Sequence, residues 1–300
     1  MKILEIENSL KNVNYVPTKE ILFALSGCIN EKIPLLIEGA PGSGKTSLAK
    51  SVADMLNIPM YRIQFYEGLT ADKILYDYDY QKQLLTIESI KSALESNLKG
   101  KNIDDAINIV KDINFYGEQF LIKRPILKAI TNNEPCVLLL DEVDKASEEI
   151  EYTLLEVLDE FSMTIPQYGT VSCKEEFKPI VFLTSNNYRD LSDALKRRCN
   201  YLYIEQKSEE EMLEILKLKT NVSEQLAKGI SNCITQIQEL DLKQVPSIAE
   251  AINWAKYLRE NLSEDLTEIN NTLFMLAKNK DDMDKIKSSH IIQNTFKWGI

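Results

Sequence analysis

Residues 39–46 read Gly-Ala-Pro-Gly-Ser-Gly-Lys-Thr, a G-x-x-x-x-G-K-[ST] segment, and no other stretch of the chain restricts its fold as tightly. The apolar run 33–37 precedes it. After it, Leu48, Ala49, Val52, Ala53 and Leu56 recur at helical spacing. A buried strand, a glycine-rich turn and an amphipathic helix are therefore expected in that order. In such a turn the glycines let the backbone curl so that successive N–H groups point inward, and the helix start adds its positive end. That arrangement suits phosphate oxygens. Gly39, Ala40, Pro41, Gly42, Ser43, Gly44, Lys45, Thr46 and Ser47 are expected to surround the phosphates of a nucleotide. Lys45 is expected to reach the β- and γ-phosphates, and the Thr46 hydroxyl to sit on Mg²⁺. The plainer reading, a glycine-rich turn with a surface lysine, is disfavoured by the flanking elements.

Further strands are expected at 59–65, 137–140, 180–184 and 201–204. A helix over 18–29 opens at Thr18 after Pro17. Pro166, Gly169 and β-branched residues mark a hairpin over 162–178. Residues 66–135 are mostly helical in pattern and polar, with a Lys/Asn/Asp-rich stretch near 99–105, and read as an insertion. Strands alternating with helices argue for a parallel sheet covered on both faces. Past about residue 206 only helical patterns remain, over 208–218, 222–240, 247–262 and 264–278. The expected fold class is α/β: a three-layer αβα P-loop NTPase core with a parallel sheet over 1–205, then a small all-helical lid domain over 206–300.

The strand 137–140 (Val-Leu-Leu-Leu) runs into Asp141-Glu142. Its apolar residues bury it, and its acids emerge at the end of the sheet where open α/β folds bind ligands. Asp141 is suited to hold Mg²⁺, usually through water. Glu142 is suited to orient and deprotonate an attacking water. A hydrophobic strand ending in acids is common, and it gains meaning here from the phosphate loop upstream.

Taken together, these residues resemble the AAA+ ATPases and, within them, the MoxR family. Residues 141–147 (DEVDKAS) are similar to that family's D-E-[IV]-[ND]-[RK]-A segment. Leu154-Leu155-Glu156, Glu160 and Met163-Thr164-Ile165 are similar to the stretch leading into its hairpin. Residues 182–187 (FLTSNN) resemble its sensor-1 strand, and 191–199 (LSDALKRRC) resemble the arginine-finger helix of the CoxD-like branch. Ser247 to Glu250, with Trp254 and Ala255, resemble that branch's lid helix. The likeness covers about residues 16–280 and is least specific over 66–135. It implies Asn186 as the sensor-1 amide, with Asn187 as the alternative. It also implies an arginine finger at Arg197 or Arg198, Arg198 being the first choice, that reaches the ATP of a neighbouring subunit. A guanidinium suits that task because it stays charged and grips phosphate oxygens in a fork. The resemblance further implies ATP as fuel, a homo-oligomeric, hexameric ring, a von Willebrand factor A domain partner and chaperone-like remodelling or maturation of a protein complex. It departs at sensor 2: the expected arginine is missing from Pro246 to Glu250. Arg259 lies about three helical turns beyond, and Lys243 is the substitute left.

The net charge of −11 disfavours broad nucleic-acid binding. The alternative of a nucleic-acid-associated AAA+ NTPase, clamp-loader-like or restriction-linked, therefore ranks second. A small-molecule P-loop kinase ranks third, against the Asp141-Glu142 pair, Asn186 and the arginines. The five scattered cysteines and single histidine, His290, give no zinc or disulfide framework and fit a reducing cytoplasm. No membrane span and no signal-peptide core are expected. Tyr76, Tyr78 and Tyr80 are read as packing an insertion element, with a client-gripping loop as the alternative. Trp254 and Trp298 are expected to anchor the lid core or tail.

Overall fold

The computed structural model describes residues 1–97, 114–261 and 268–296. Helices α1 (Ile3–Asn12) and α2 (Lys19–Asn30) lead into β1 (Leu35–Gly39), α3 (Lys45–Leu56) and β2 (Met60–Gln64). The stretch read as an insertion holds α4 (Ala71–Leu75), β3 (Tyr76–Tyr78), α5 (Tyr80–Asn97), β4 (Leu121–Lys123) and α6 (Pro125–Ile130). There follow β5 (Val137–Asp141), α7 (Glu148–Glu160), β6 (Ser162–Ile165), β7 (Gly169–Ser172), β8 (Ile180–Ser185), α8 (Asp193–Lys196) and β9 (Asn200–Ile204). The remaining helices are α9 (Glu209–Thr220), α10 (Glu224–Gln238), α11 (Ile248–Asn261), α12 (Lys280–Ser288) and α13 (Ile291–Thr295).

The main sheet has five strands in the order β2-β5-β8-β1-β9, and every pairing in it is parallel. Side chains alternate across it. Leu36, Leu138, Leu140, Val181 and Leu183 face one layer with α6 and α7. Leu35, Ile37, Val137, Leu139 and Phe182 face the other with α1, α2 and α3. Each such buried aliphatic side chain contributes about 1.5–3 kcal/mol, which is why β5 carries apolar residues on both faces until Asp141. Because the strands are parallel, the ends of β1, β5 and β8 lie at one edge of the sheet, and the loops there build the site.

The helices after β9 form their own hydrophobic cluster from Met212 to Phe296. Trp254 is its largest fully buried side chain, donating from Nε1 to Thr272 Oγ1 at 2.7 Å. Phe296 packs edge-on against it, with ring centroids 6.0 Å apart.

Several elements depart from the sequence reading. The β3-β4 antiparallel pair within the insertion is new; strands this short are below the length at which alternation is visible. Of the pattern over 264–278, residues 264–267 lie outside the described residues, and the rest holds a 3₁₀ turn at Ile269–Met275 rather than an α-helix. There Thr272 Oγ1 donates to the Ile269 carbonyl at 2.7 Å, a local bond that competes with the α-helical ladder. Helix α1, absent from the sequence reading, packs through Ile6 and Leu10, a pair about one turn apart. Residues 99–105 and Trp298 lie outside the described residues. Tyr78 packs against Tyr76 and Tyr116 and donates to the Pro166 carbonyl at 3.1 Å, tying the insertion to the β6-β7 hairpin, whereas Tyr80 is exposed.

Candidate functional site

Between β1 and α3 the chain turns through Gly39 and Gly42, both at positive φ. A Cβ at Gly39 would meet the Ile204 carbonyl oxygen at 2.4 Å, and one at Gly42 would meet Ser247 Cβ at 2.3 Å. The two glycines thus let the loop pass against β9 below and the start of α11 above. A cavity of about 450 Å³ opens beside this loop, lined by Pro41 to Ser47, Asp141, Glu142, Thr184 and Asn186. Its remaining walls bring in Tyr15, Val16, Ile215, Ile248 and Ile252, an apolar slot suited to a flat base.

Lys45 is buried and folds back, its Nζ donating to the carbonyls of Gly39 (2.7 Å) and Ala40 (2.9 Å). Burial pulls its ammonium below the usual lysine range, against the opposing pull of the Asp144, Asp141 and Glu142 carboxylates. Thr46 Oγ1 donates to Asp141 Oδ1 at 3.0 Å, and the Thr184 hydroxyl donates to the same oxygen. Oδ2 of Asp141 accepts from Arg62 Nε at 3.0 Å and Nη2 at 2.6 Å.

Glu142 stands at φ +59, a left-handed conformation uncommon for a residue with a Cβ. Its N–H donates to Thr184 Oγ1 at 2.9 Å. Its Oε2 accepts from Lys145 Nζ (2.8 Å) and Gln64 Nε2 (3.3 Å). The Lys145 hydrogen bond is the main reason its carboxyl lies below the usual glutamate range. Asp144, fully buried, accepts at Oδ2 from the N–H groups of Asn186 (3.0 Å) and Tyr188 (2.9 Å). It therefore ties the loop after β5 to the loop after β8 and aims Asn186 into the cavity.

These donors fit a Mg²⁺–nucleotide. Ser43 Oγ is buried at the loop with no hydrogen-bond partner among the described residues, a free polar atom where a phosphate would lie. Thr46 and Asp141 supply adjacent oxygens of the hard type Mg²⁺ prefers. No cluster of three or more His, Cys, Asp or Glu that could hold a metal occurs among the described residues. A metal here would therefore draw its other ligands from phosphate and water.

The arginines lie apart from this cavity. Arg198 is held within its own chain: Nε and Nη2 engage Asp159, each at 2.5 Å, and Nη1 donates to the Ala194 carbonyl at 2.9 Å. Arg197 is exposed. The segment carrying them is braced by Glu151, almost fully buried, which pairs with Arg189 and accepts from the Ser192 N–H at 2.9 Å. Neither candidate for sensor 2 lines the cavity. Arg259 donates to the Thr220 carbonyl and pairs with Glu260. Lys243 pairs with Asp281 and lines a neighbouring cavity that shares Pro41, Gly42 and Ser43. Lys207 and Lys219, unremarked in the sequence, are the cations outside the phosphate loop that line the nucleotide cavity among the described residues.

Sequence reasoning also passed over Arg62, Gln64 and Thr184. Strand pairing is the signal that could have found them: Gln64 lies opposite Asp141, and Leu183 opposite Leu140, so Thr184 neighbours the acids.

A family profile described as an AAA domain of the dynein-related subfamily matches residues 34–199. The Lon protease of Rickettsia prowazekii is 29% identical over 189 residues, covering 61% of this chain and 19% of that protein. The chaperone protein ClpB of Mycoplasma pneumoniae is 27% identical over 215 residues, covering 69% of this chain and 25% of its own length. Midasin of Giardia intestinalis is 26% identical over 315 aligned residues, covering 96% of this chain and 6% of that protein. The chain thus spans a quarter or less of each of these relatives. Among solved structures, the Thermotoga maritima RuvB Holliday junction branch migration motor aligns with 94% of this chain and 68% of its own, at 17% identity and a TM-score of 0.44.

Proposed function

The chain belongs to the AAA domain family, dynein-related subfamily, and is an ATPase; from that premise we propose that it couples ATP hydrolysis in an assembled ring to remodelling of a partner protein. The observation that carries the reading is the convergence of Thr46, Asp141, Thr184 and Glu142 at the mouth of one glycine-lined cavity.

In this reading the loop N–H groups and Lys45 grip the triphosphate, while Thr46 and Asp141 hold Mg²⁺. The metal offsets phosphate charge when bound. Glu142 takes a proton from the attacking water, and Lys145, hydrogen-bonded to its carboxylate, favours the ionised form. Asn186, fixed by Asp144, positions the water or the γ-phosphate without repelling it.

Residues 1–205 serve as the catalytic core and 206–300 as the lid. Gly42 packs directly on Ser247, which sets the start of the lid helix against the phosphate loop. Of the two arginines, Arg197 is exposed while Arg198 pairs with Asp159 in its own subunit, which favours Arg197 as the one that acts in the neighbouring subunit's site. In-trans fingers are worth ~10³–10⁵ in rate. The segments 141–147, 182–187 and 191–199 support a MoxR-type, CoxD-like machine working with a von Willebrand factor A domain partner. The free cysteines suit a reducing cytoplasm, and no described helix is long and apolar enough to cross a membrane.

ATPase activity measured against protein concentration tests this reading. Specific activity should rise steeply as the chain assembles and should be lost in Arg197→Ala with ATP binding retained. Full activity in a strictly monomeric Arg197→Ala protein would contradict it.

A further inference from the structure

Asp141 is almost fully buried, yet its two oxygens are divided between different kinds of partner. Oδ1 takes the hydroxyls of Thr46 and Thr184. Oδ2 takes the guanidinium of Arg62 through both Nε and Nη2. Arg62 reaches it from β2, the edge strand, where it pairs opposite Leu139, two residue pairs short of Asp141 and on the same face of the sheet. The same Nη2 lies 3.2 Å from Gln64 Oε1, and Gln64 Nε2 donates to Glu142. One cation from an edge strand therefore neutralises the carboxylate expected to serve the metal and, through Gln64, reaches the carboxylate expected to serve the water.

A guanidinium keeps its charge at any working pH, and it repels a divalent cation brought to the same oxygen. For a metal to approach Oδ2, Arg62 has to give that oxygen up. A bare divalent ion offers the displaced guanidinium nothing in return. A metal arriving on a triphosphate does, because the added negative charge accommodates both cations. We propose that Arg62 is a positioning residue that exchanges with the metal on Asp141 and so makes metal occupancy depend on nucleotide.

The inference rests on the nucleotide-site reading above and adds to it a residue on a strand outside the recognised motifs. It assigns Arg62 no contact with the reacting atoms. Its side chain is about half exposed on an edge strand, so its replacement leaves the packed layers intact.

The test uses the full chain and a fluorescent non-hydrolysable ATP analogue, titrated in Mg²⁺ and in EDTA. The readout is the ratio of the two dissociation constants, which a merely structural role would not move. In Arg62→Met, whose Asp141 takes the metal with or without nucleotide, the preference for the Mg²⁺ form should fall at least fivefold below wild type. In Arg62→Lys, which keeps a cation, it should stay within about twofold of wild type. Mn²⁺ without nucleotide, followed by its electron paramagnetic resonance signal, should bind Arg62→Met and not wild type. A ratio unchanged or raised in Arg62→Met, with binding intact, overturns the role of Arg62 alone. So does an equal fall in Arg62→Lys. Failure of the wild type to bind the analogue in either buffer overturns the nucleotide-site reading instead.

Discussion

The hydroxyl of Thr46, at the start of α3, lies 3.0 Å from Asp141 Oδ1 at the end of β5, across 95 positions of chain. Thr184 donates to that same oxygen from the end of β8. Strands β5 and β8 are neighbours in the parallel sheet, and β1 with its phosphate loop pairs with the other side of β8. The sheet thus turns separate stretches of sequence into one rim of oxygens, and the hydrolytic residues inherit their positions from strand register.

Thr184 is the hinge of that rim. It is buried, donates to Asp141 and accepts from the Glu142 N–H. Thr184→Val keeps the shape but strands a buried N–H, a change costing about 1–3 kcal/mol. Urea unfolding should show that loss, and steady-state assays should show a fall in kcat larger than any change in KM, because the backbone holding Glu142 is released.

Glu151 couples α7 to the arginine segment through Arg189 and Ser192. Removing one partner of a buried ion pair costs about 3–5 kcal/mol. Arg189 keeps roughly a third of its side chain in water, which moves the expectation below that range, to about 2–3 kcal/mol. Glu151→Ala should therefore unfold at clearly lower denaturant. At temperatures where it stays folded, its ATPase should resemble that of Arg197→Ala more than that of wild type.

Much of this was legible in the sequence because the signals were dense. Glycine spacing located the loop, and an unbroken apolar run ending in acids located β5. Arg62 and Thr184 were not legible. Their meaning depends on which strands pair and in what register, and neither residue type is unusual for a strand. The β3-β4 pair escaped for a similar reason, since each strand has three residues. The pairing of Arg198 with Asp159, 39 residues upstream on another helix, was likewise not legible.

The loop at Lys243 and Gln244, beside the phosphate loop in the second cavity, is held by the buried Asp282. Burial pushes the Asp282 carboxyl up, but the Lys243 N–H, the Asn279 side chain and the Gln244 N–H outweigh it and hold the group below the usual aspartate range. A carboxyl lowered in the folded state stabilises the fold above its unfolded pKa, about 3.9, and that contribution is lost as pH falls through the folded value. Asp282→Asn should be less stable than wild type at pH 7. The gap should close below about pH 4, as followed by thermal unfolding across a pH series.

Arg198 and Arg197 should separate in mixing experiments. Arg198→Ala removes a partly exposed pair with Asp159, which water screens to a small contribution. Its turnover should fall less than that of Arg197→Ala, whose defect should be relieved by mixing with Glu142→Gln, because a Glu142→Gln neighbour supplies Arg197 to a site that keeps its own Glu142.

The central claim is that ATP is bound by the loop around Lys45 and cleaved beside Glu142. Calorimetric ATP binding with Mg²⁺, paired with phosphate release on the same samples, tests it most directly for wild type, Lys45→Ala and Glu142→Gln. Wild type should bind and turn over, and Lys45→Ala should lose binding. Glu142→Gln should bind at least as tightly as wild type while releasing phosphate at least 100-fold more slowly, the lower end of about 10²–10⁴ for a lost general base. Undiminished phosphate release by Glu142→Gln, or no heat of ATP binding by the wild type, would contradict the account.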